Sequence, residues 1–202
     1  MAVKVSGKGK TASMCAGCGG RCCRLSVDLT TFDIARIATF TGKPAGDFMH
    51  LAKAAPDDAF ALRCMGDSLK AVMKHKPDGY CVFYNGDDAR GCDIEGVKPA
   101  TCLYYPFSLY GGNPFIRQNA LCPLENRRHA DPEKMSAAAL GDCDWEDAFY
   151  KEILSDWNAQ ARGGESFGEF FKFAGSEIEL NSRPLGRHIR KVIRWVRRLG
   201  RH

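Results

Sequence analysis

The chain lacks several things that would each have named a class. No apolar run approaches the roughly eighteen residues that a membrane span needs. No Asn-x-Ser/Thr glycan acceptor occurs, and the opening segment from Met1 to Ser13 carries Lys4, Lys8 and Lys10 without a hydrophobic stretch, so a secretory signal is not expected. There is no internal repeat and no low-complexity tract. Gly-rich phosphate loops, nucleophile elbows and paired catalytic carboxylates are missing too. Histidine is scarce at five residues, and His50, His75 and His129 stand apart with no HExxH-like spacing, so each reads as a surface or core histidine. These absences describe a cytoplasmic protein with ordinary globular composition and no catalytic residues that declare themselves.

Cysteine is what the chain has in excess, with ten among 202 residues. In a reducing compartment, clustered thiols are more often metal ligands than disulfides. Four fall within nine residues, as Cys15-x2-Cys18-x3-Cys22-Cys23, with Gly17, Gly19 and Gly20 between them. Close spacing lowers the entropic cost of bringing thiolates to one point. Cys15-x2-Cys18 is a chelating knuckle. The adjacent Cys22-Cys23 pair is less usual: in an extended backbone neighbouring side chains point to opposite sides, which implies more than one metal atom. A zinc ribbon needs a second Cys-x2-Cys knuckle, which is missing. A c-type haem needs histidine where Gly19 stands. Cys122-Pro123 ends as bacterial ferredoxin motifs do, without their compact run.

Secondary-structure patterning predicts an α+β fold, a small antiparallel sheet with flanking helices. A helix is expected over Val27–Phe40, capped by Asp28, Thr30 or Thr31, with Phe32, Ile34, Ile37, Ala38 and Phe40 buried and Gly42 just past its end. Pro44 opens a second helix to about Ala54. Short strands follow between Phe60 and Glu95: Leu69, Ala71 and Met73 alternate, Lys76 to Gly79 turns, Tyr80–Tyr84 and Gly91–Ile94 are strands around the Asn85–Asp88 turn. Pro99 opens a helical turn carrying Cys102, and Phe115–Arg117 is a strand. Helices are expected at Pro132–Leu140, capped by Asp131 and stopped by Gly141, and at Trp145–Ala161, where Phe149, Ile153, Leu154 and Trp157 share a face. A short segment at Phe167–Phe173 and a basic helix at Leu185–Leu199 complete the chain. The domain reading is a flexible arm over 1–14, a cysteine-cluster domain over 15–125 and a helical extension over 126–202 packed on it.

Cys15-x2-Cys18-x3-Cys22-Cys23, Cys81-Val82-Phe83, Gly91-Cys92-Asp93-Ile94, Lys98-Pro99-x2-Cys102, Tyr105-Pro106-Phe107 and Cys122-Pro123 together resemble the CxxCxxCC family of zinc- or iron-chelating cysteine-cluster proteins. The resemblance covers Cys15 to Pro123 and implies eight ligands: Cys15, Cys18, Cys22, Cys23, Cys81, Cys92, Cys102 and Cys122. Cys64 and Cys143 fall outside it and read as ordinary thiols. Three residues precede Cys22 where the family name has two, and Lys98 and Leu103 stand where the family often has arginine. Flagellin lysine N-methylase is similar in the cysteine region and is held to use an iron–sulfur centre; no methyltransferase segment matches here. Eight thiolates suit an iron–sulfur cluster, the favoured cofactor, or two zinc ions with four thiolates each. The function expected is metal binding with no reaction assigned. The alternatives are a structural zinc module for a protein or RNA partner, and an oxidoreductase or protein-modification enzyme using the cluster. Tyr104, Tyr105 and Phe107 are expected to cover the metal.

Charge separates along the chain. The net is +5, yet eight Lys/Arg and no acid lie from Arg183 onward, leaving 21 bases against 24 acids before it. Leu185, Ile189, Val192, Val196 and Leu199 recur at helical steps among those bases. Such a helix can bind an acidic partner, RNA or an anionic membrane surface. Asp131 to Ser182 holds twelve acids and four bases, so docking within the chain is the favoured reading.

Overall fold

The computed structural model describes residues 19–86, 91–110, 113–118, 120–122 and 137–181. The N-terminal arm, Cys15, Cys18, the Asp131 cap, the tips of the 85–88 and 111–114 turns and the basic helix at 185–199 lie outside them. Among the described residues helices and small antiparallel sheets are combined, so the α+β expectation holds. No described helix is long and apolar enough to cross a membrane.

The first helix, α1 (Thr31–Thr41), is set by its ends. Thr30 accepts from the Asp33 amide at 3.1 Å while the Asp33 carboxylate accepts from the Thr30 amide at 3.0 Å, a reciprocal capping box. Gly42 closes the helix at φ 68°, a left-handed conformation that a side chain would strain. Phe32, Ile34, Ile37 and Ala38 are buried as expected, but Phe40 is 57% exposed, being one residue off the buried stripe.

The second expected helix is corrected. One turn, α2 (Ala45–Phe48), gives way to strand β1 (Met49–Lys53), because five residues there pair antiparallel with β3 (Asp67–Met73). Cross-strand pairing outweighs local helix preference. β2 (Leu62–Cys64) pairs with the other side of β3, giving the order β1-β3-β2. Leu69, Ala71 and Met73 face the core as their alternation predicts, and Val72 is buried as well because Asp28 bridges beside it.

The Tyr80–Tyr84 strand is also corrected. Cys81 makes an isolated bridge with His75, the backbone then turns through a Tyr84 N–H to Cys81 carbonyl bond of 2.9 Å, and only β4 (Tyr84–Asn85) pairs, with β5 (Gly91–Cys92). Pro99 does open a helical turn, α3 (Ala100–Tyr104). β6 (Phe107–Tyr110) and β7 (Asn113–Ile116) form a third small sheet.

The expected stop at Gly141 is absent: α4 runs from Ala137 to Gln160 through it. A helix-interior glycine costs about 1 kcal/mol against alanine, which the packing of Phe149, Ile153, Leu154 and Trp157 into the core outweighs. The segment at Phe167 is longer than expected. α5 (Phe167–Asn181) begins at a Ser166/Glu169 exchange of hydrogen bonds and buries Phe170, Phe171 and Ala174. One apolar cluster joins α1, the three-stranded sheet, α4 and α5. Trp157 Nε1 donates to the Arg63 carbonyl at 2.8 Å and Asn158 bonds both Arg63 N–H and Ala61 carbonyl at 2.8 Å, so α4 covers the free edge of β2.

Candidate metal centre

Cys22 and Cys23 lie in a 3-10 turn, Arg21–Arg24, rather than in extended chain. The premise that sends their side chains to opposite faces therefore fails. About three residues per turn set neighbours some 120° apart, and here the two thiols hydrogen-bond each other. Adjacency alone no longer demands two metal atoms. The turn starts from Gly20 at φ 63°, and a Cβ there would lie 2.3 Å from the Tyr84 ring. No other residue type fits both demands.

Backbone contacts carry further cysteines to this turn. The Cys81 amide donates to the Cys23 carbonyl at 2.7 Å. β4–β5 pairing then sets Cys92 opposite Tyr84, three residues beyond Cys81. Cys102 is brought from another direction: the Ala100 amide at the start of α3 donates to Asp33 of α1 at 3.2 Å. Asp33, 3% exposed, also binds Arg36 at 2.5 Å, and Arg36 reaches Glu146 of α4 at 2.7 Å. The cysteine-bearing α3 is thereby anchored to two helices of the core.

Electrostatics show that these thiols share one space. A hydrogen bond from Cys23 lowers Cys22 from 9.0 to about 7, against burial, with the Lys98 ammonium assisting. Cys23 is pushed up by the same hydrogen bond, by burial, and by Cys22, Cys81 and Cys92. Burial raises Cys81, with Cys22 adding to the rise and Lys76 opposing it. Cys92 goes up to about 11, through burial and then the field of Cys81, against Lys98. Cys102 is raised by burial and by Cys81, Cys22 and Cys92. Cys22 ionises more readily than a free thiol, whereas Cys23, Cys81, Cys92 and Cys102 resist losing a proton without a cation nearby. A thiophilic metal supplies that charge, and an all-sulfur donor set suits zinc or iron.

The remaining sites divide. Cys122 is half-buried at the end of the described stretch, and its neighbour Leu121 donates its amide to the Tyr105 hydroxyl, three residues after Cys102. Cys64 is fully buried in the apolar core, raised by burial and then by Asp67, consistent with an ordinary thiol. Cys143 falls within α4, and Cys15 and Cys18 lie outside the described residues. Among the described residues no three His, Cys, Asp or Glu side chains stand in metal-holding geometry. The five thiols are gathered without forming a coordination shell.

Phe107 is buried, and the Tyr105 hydroxyl accepts from the Leu121 amide beside Cys122. Tyr80 and Tyr84 add a further wall at the cysteine turn, stacked at 4.5 Å with the Arg24 guanidinium 3.9 Å over Tyr80. Their flanking of Cys81, together with Gly19-Gly20, is the sequence signal that could have marked them. Lys98 was marked by its place in the Lys98-Pro99-x2-Cys102 motif, whereas Lys76 carries no such signal, because only the fold puts it beside the thiols.

Comparison with known families decides the affiliation. The model of the CxxCxxCC family, described as "Putative zinc- or iron-chelating domain", matches residues 14–123, more than half of the chain. The chain belongs to the CxxCxxCC family. Metal binding by its cysteines follows from that membership and from the sulfur donor set. No curated protein and no solved structure matches the chain. Within this CxxCxxCC protein the matched segment contains every thiol of the gathered set and excludes Cys143.

Proposed function

We propose that this protein holds an iron–sulfur centre through Cys15, Cys18, Cys22, Cys23, Cys81, Cys92, Cys102 and Cys122. What supports the reading is that the five described thiols do not sort into separate groups: the fields of Cys81, Cys22 and Cys92 reach Cys102, and those of Cys22, Cys81 and Cys92 reach Cys23. Two separate tetrahedral zinc ions call for two separable groups of four thiolates. One undivided group suits a multinuclear centre. Lys76 and Lys98 offset its negative charge, and the Tyr80–Tyr84 stack limits water at the Cys22–Cys23 turn. A bound iron–sulfur centre supplies one-electron chemistry or an open iron for a ligand. The chain's own part is to hold, orient and partly desolvate the sulfurs.

Anaerobic purification with elemental analysis and a visible spectrum tests this directly. The expected result is a brown protein with iron and acid-labile sulfide in equal amounts. A colourless protein with two zinc ions per chain and no sulfide overturns it in favour of structural zinc.

A further inference from the structure

Away from the thiols, α4 and α5 leave a groove of about 470 Å³ lined by Trp145, Phe149, Glu152, Ile153, Asp156 and Glu177. No cysteine borders it. Trp145 stacks on Phe149 at 5.3 Å and remains 38% exposed, while Phe149 and Ile153 beneath it are buried, so Trp145 is the main apolar surface the groove offers. Its rim carries three carboxylates and no base.

We propose that this groove is the seat of the chain's own segment Leu185–Leu199. Three features select that occupant over a foreign one. The first is position. Glu177, one helical turn before the end of α5 at Asn181, lines the groove, so residues 182–184 have only a short way to bridge, and three residues span up to about 10 Å. The second is length. The α4 residues in the lining run from Trp145 to Asp156, about 16 Å of helix, while a helix of the segment's size is about 22 Å long. The third is pattern. Leu185, Ile189, Val192, Val196 and Leu199 repeat at steps of 4, 3, 4 and 3, a stripe that would cover the exposed Trp145 ring. Arg187, Arg190, Lys191, Arg194, Arg197 and Arg198 flank that stripe without a single acid and match the acidic rim. Docking covers Trp145 and sets part of the segment's positive charge against the rim carboxylates, so that this part of the basic surface is not offered to nucleic acid or lipid.

Hydrogen exchange with mass spectrometry on the full chain at low salt tests this. Amides of 186–199 exchange at least about tenfold more slowly in the wild type than in the Glu152→Lys/Asp156→Lys variant, whereas amides of α1 and β3 are unchanged. Adding Arg190→Glu/Arg194→Glu to that variant restores the protection, a charge-swap cycle that a merely damaged helix does not reproduce. Should the groove variant fail to fold, Val192→Asp alone carries the same expectation of lost protection at 186–199. The proposal is overturned if the segment exchanges equally fast in wild type and variants. It is equally overturned if protection arises only on adding phosphatidylglycerol vesicles or poly-U RNA, which would assign the segment to a membrane or to RNA.

Discussion

The apolar core and the thiol region are built by different physics within one chain. In the core, whole elements of 11, 24 and 15 residues (α1, α4, α5) press large side chains together, and Phe32, Tyr150, Ile153 and Phe170 are essentially excluded from water. Around the thiols the elements shrink to a four-residue turn, two-residue strands and a five-residue helix, and the cysteines are only half-buried. The first region is held by apolar area removed from water. The second has too little of it, and its polypeptide geometry depends on what the sulfurs bind.

The sharpest way to break that contrast is to remove the metal. After anaerobic chelation, amides of 20–25, 81–85, 91–94 and 102–104 are expected to lose protection by about a hundredfold or more, while those of β3 and α4 keep theirs, because sub-global opening follows local packing. Simultaneous opening of both regions would show one cooperative unit and defeat the division. The converse change is Phe170→Ala. Phe170 meets Tyr150 at 6.4 Å, Trp157 at 5.6 Å and Phe167 at 6.0 Å between ring centroids. Its loss is expected to cost about 3–5 kcal/mol in denaturant unfolding, and a metal-loaded centre should not offset it. A cost below about 1 kcal/mol would mean the core can collapse into the space.

What the sequence allowed one to read follows the same line. α1 and its Gly42 stop were legible because both are local chemistry, but Thr30 was one of three cap candidates, and the helix begins at Thr31 rather than Val27 because Val27 and Asp28 pair with β3 instead. β1 was not legible, since its partner β3 lies some twenty residues away and no local pattern announces the pairing. The Ser166-x2-Glu169 exchange at the head of α5 was a readable capping signal that went unused. At the site, spacing and the family resemblance named the cysteines, and five of them come together. Spacing could not give the 3-10 turn that removes the premise of the argument from Cys22-Cys23 adjacency. Nor could it give Asp33 and Lys76, whose roles arise only from tertiary proximity.

Asp33 is where the two regions meet, and it sharpens the comparison. Its carboxylate accepts from the Thr30 amide and hydroxyl at 3.0 Å each and from the Ala100 amide at 3.2 Å, while pairing with Arg36. Asp33→Ala leaves buried donors without partners, so a loss of about 2–3 kcal/mol is expected. The readout that separates anchoring from general destabilisation is alkylation of Cys102 in the metal-free protein under native conditions. It should accelerate in Asp33→Ala beyond the level of Asp33→Asn, which removes the charge that also holds the Cys102 thiol up, and remain slow in Thr30→Ala. Labelling in Asp33→Ala no faster than in Asp33→Asn would leave Asp33 a helix-capping residue with no part in placing the thiol.

The smallest effect expected is electrostatic and confined to the thiol side. Lys98 is 9% exposed, pairs with Glu95 at 2.6 Å, and its charge favours the thiolate forms of both Cys22 and Cys92. A buried ammonium there costs desolvation, and Glu95, itself about half exposed, offsets only part of that cost. Its field falls on the Cys22 and Cys92 sulfurs, so Lys98 and a bound metal draw on the same sulfur charge. Two opposing terms then decide what Lys98→Met does. Losing the cation raises the cost of ionising Cys22 and Cys92, which weakens metal binding. Losing a competitor for the sulfur electrons strengthens each metal–sulfur bond. Because every ligand must lose its proton before it binds, the first term is expected to win at neutral pH. A decrease of about tenfold in metal affinity, equivalent to one pKa unit or about 1.4 kcal/mol, is the expected size. The loss should shrink as pH rises toward the thiol range, since solvent then takes the protons that Lys98 helps to expel. Lys98→Arg keeps the charge and should restore affinity at neutral pH. Unchanged metal affinity in Lys98→Met across that range would reduce Lys98 to a packing residue, and the thiol region would then owe its charge balance to Lys76 and the metal alone.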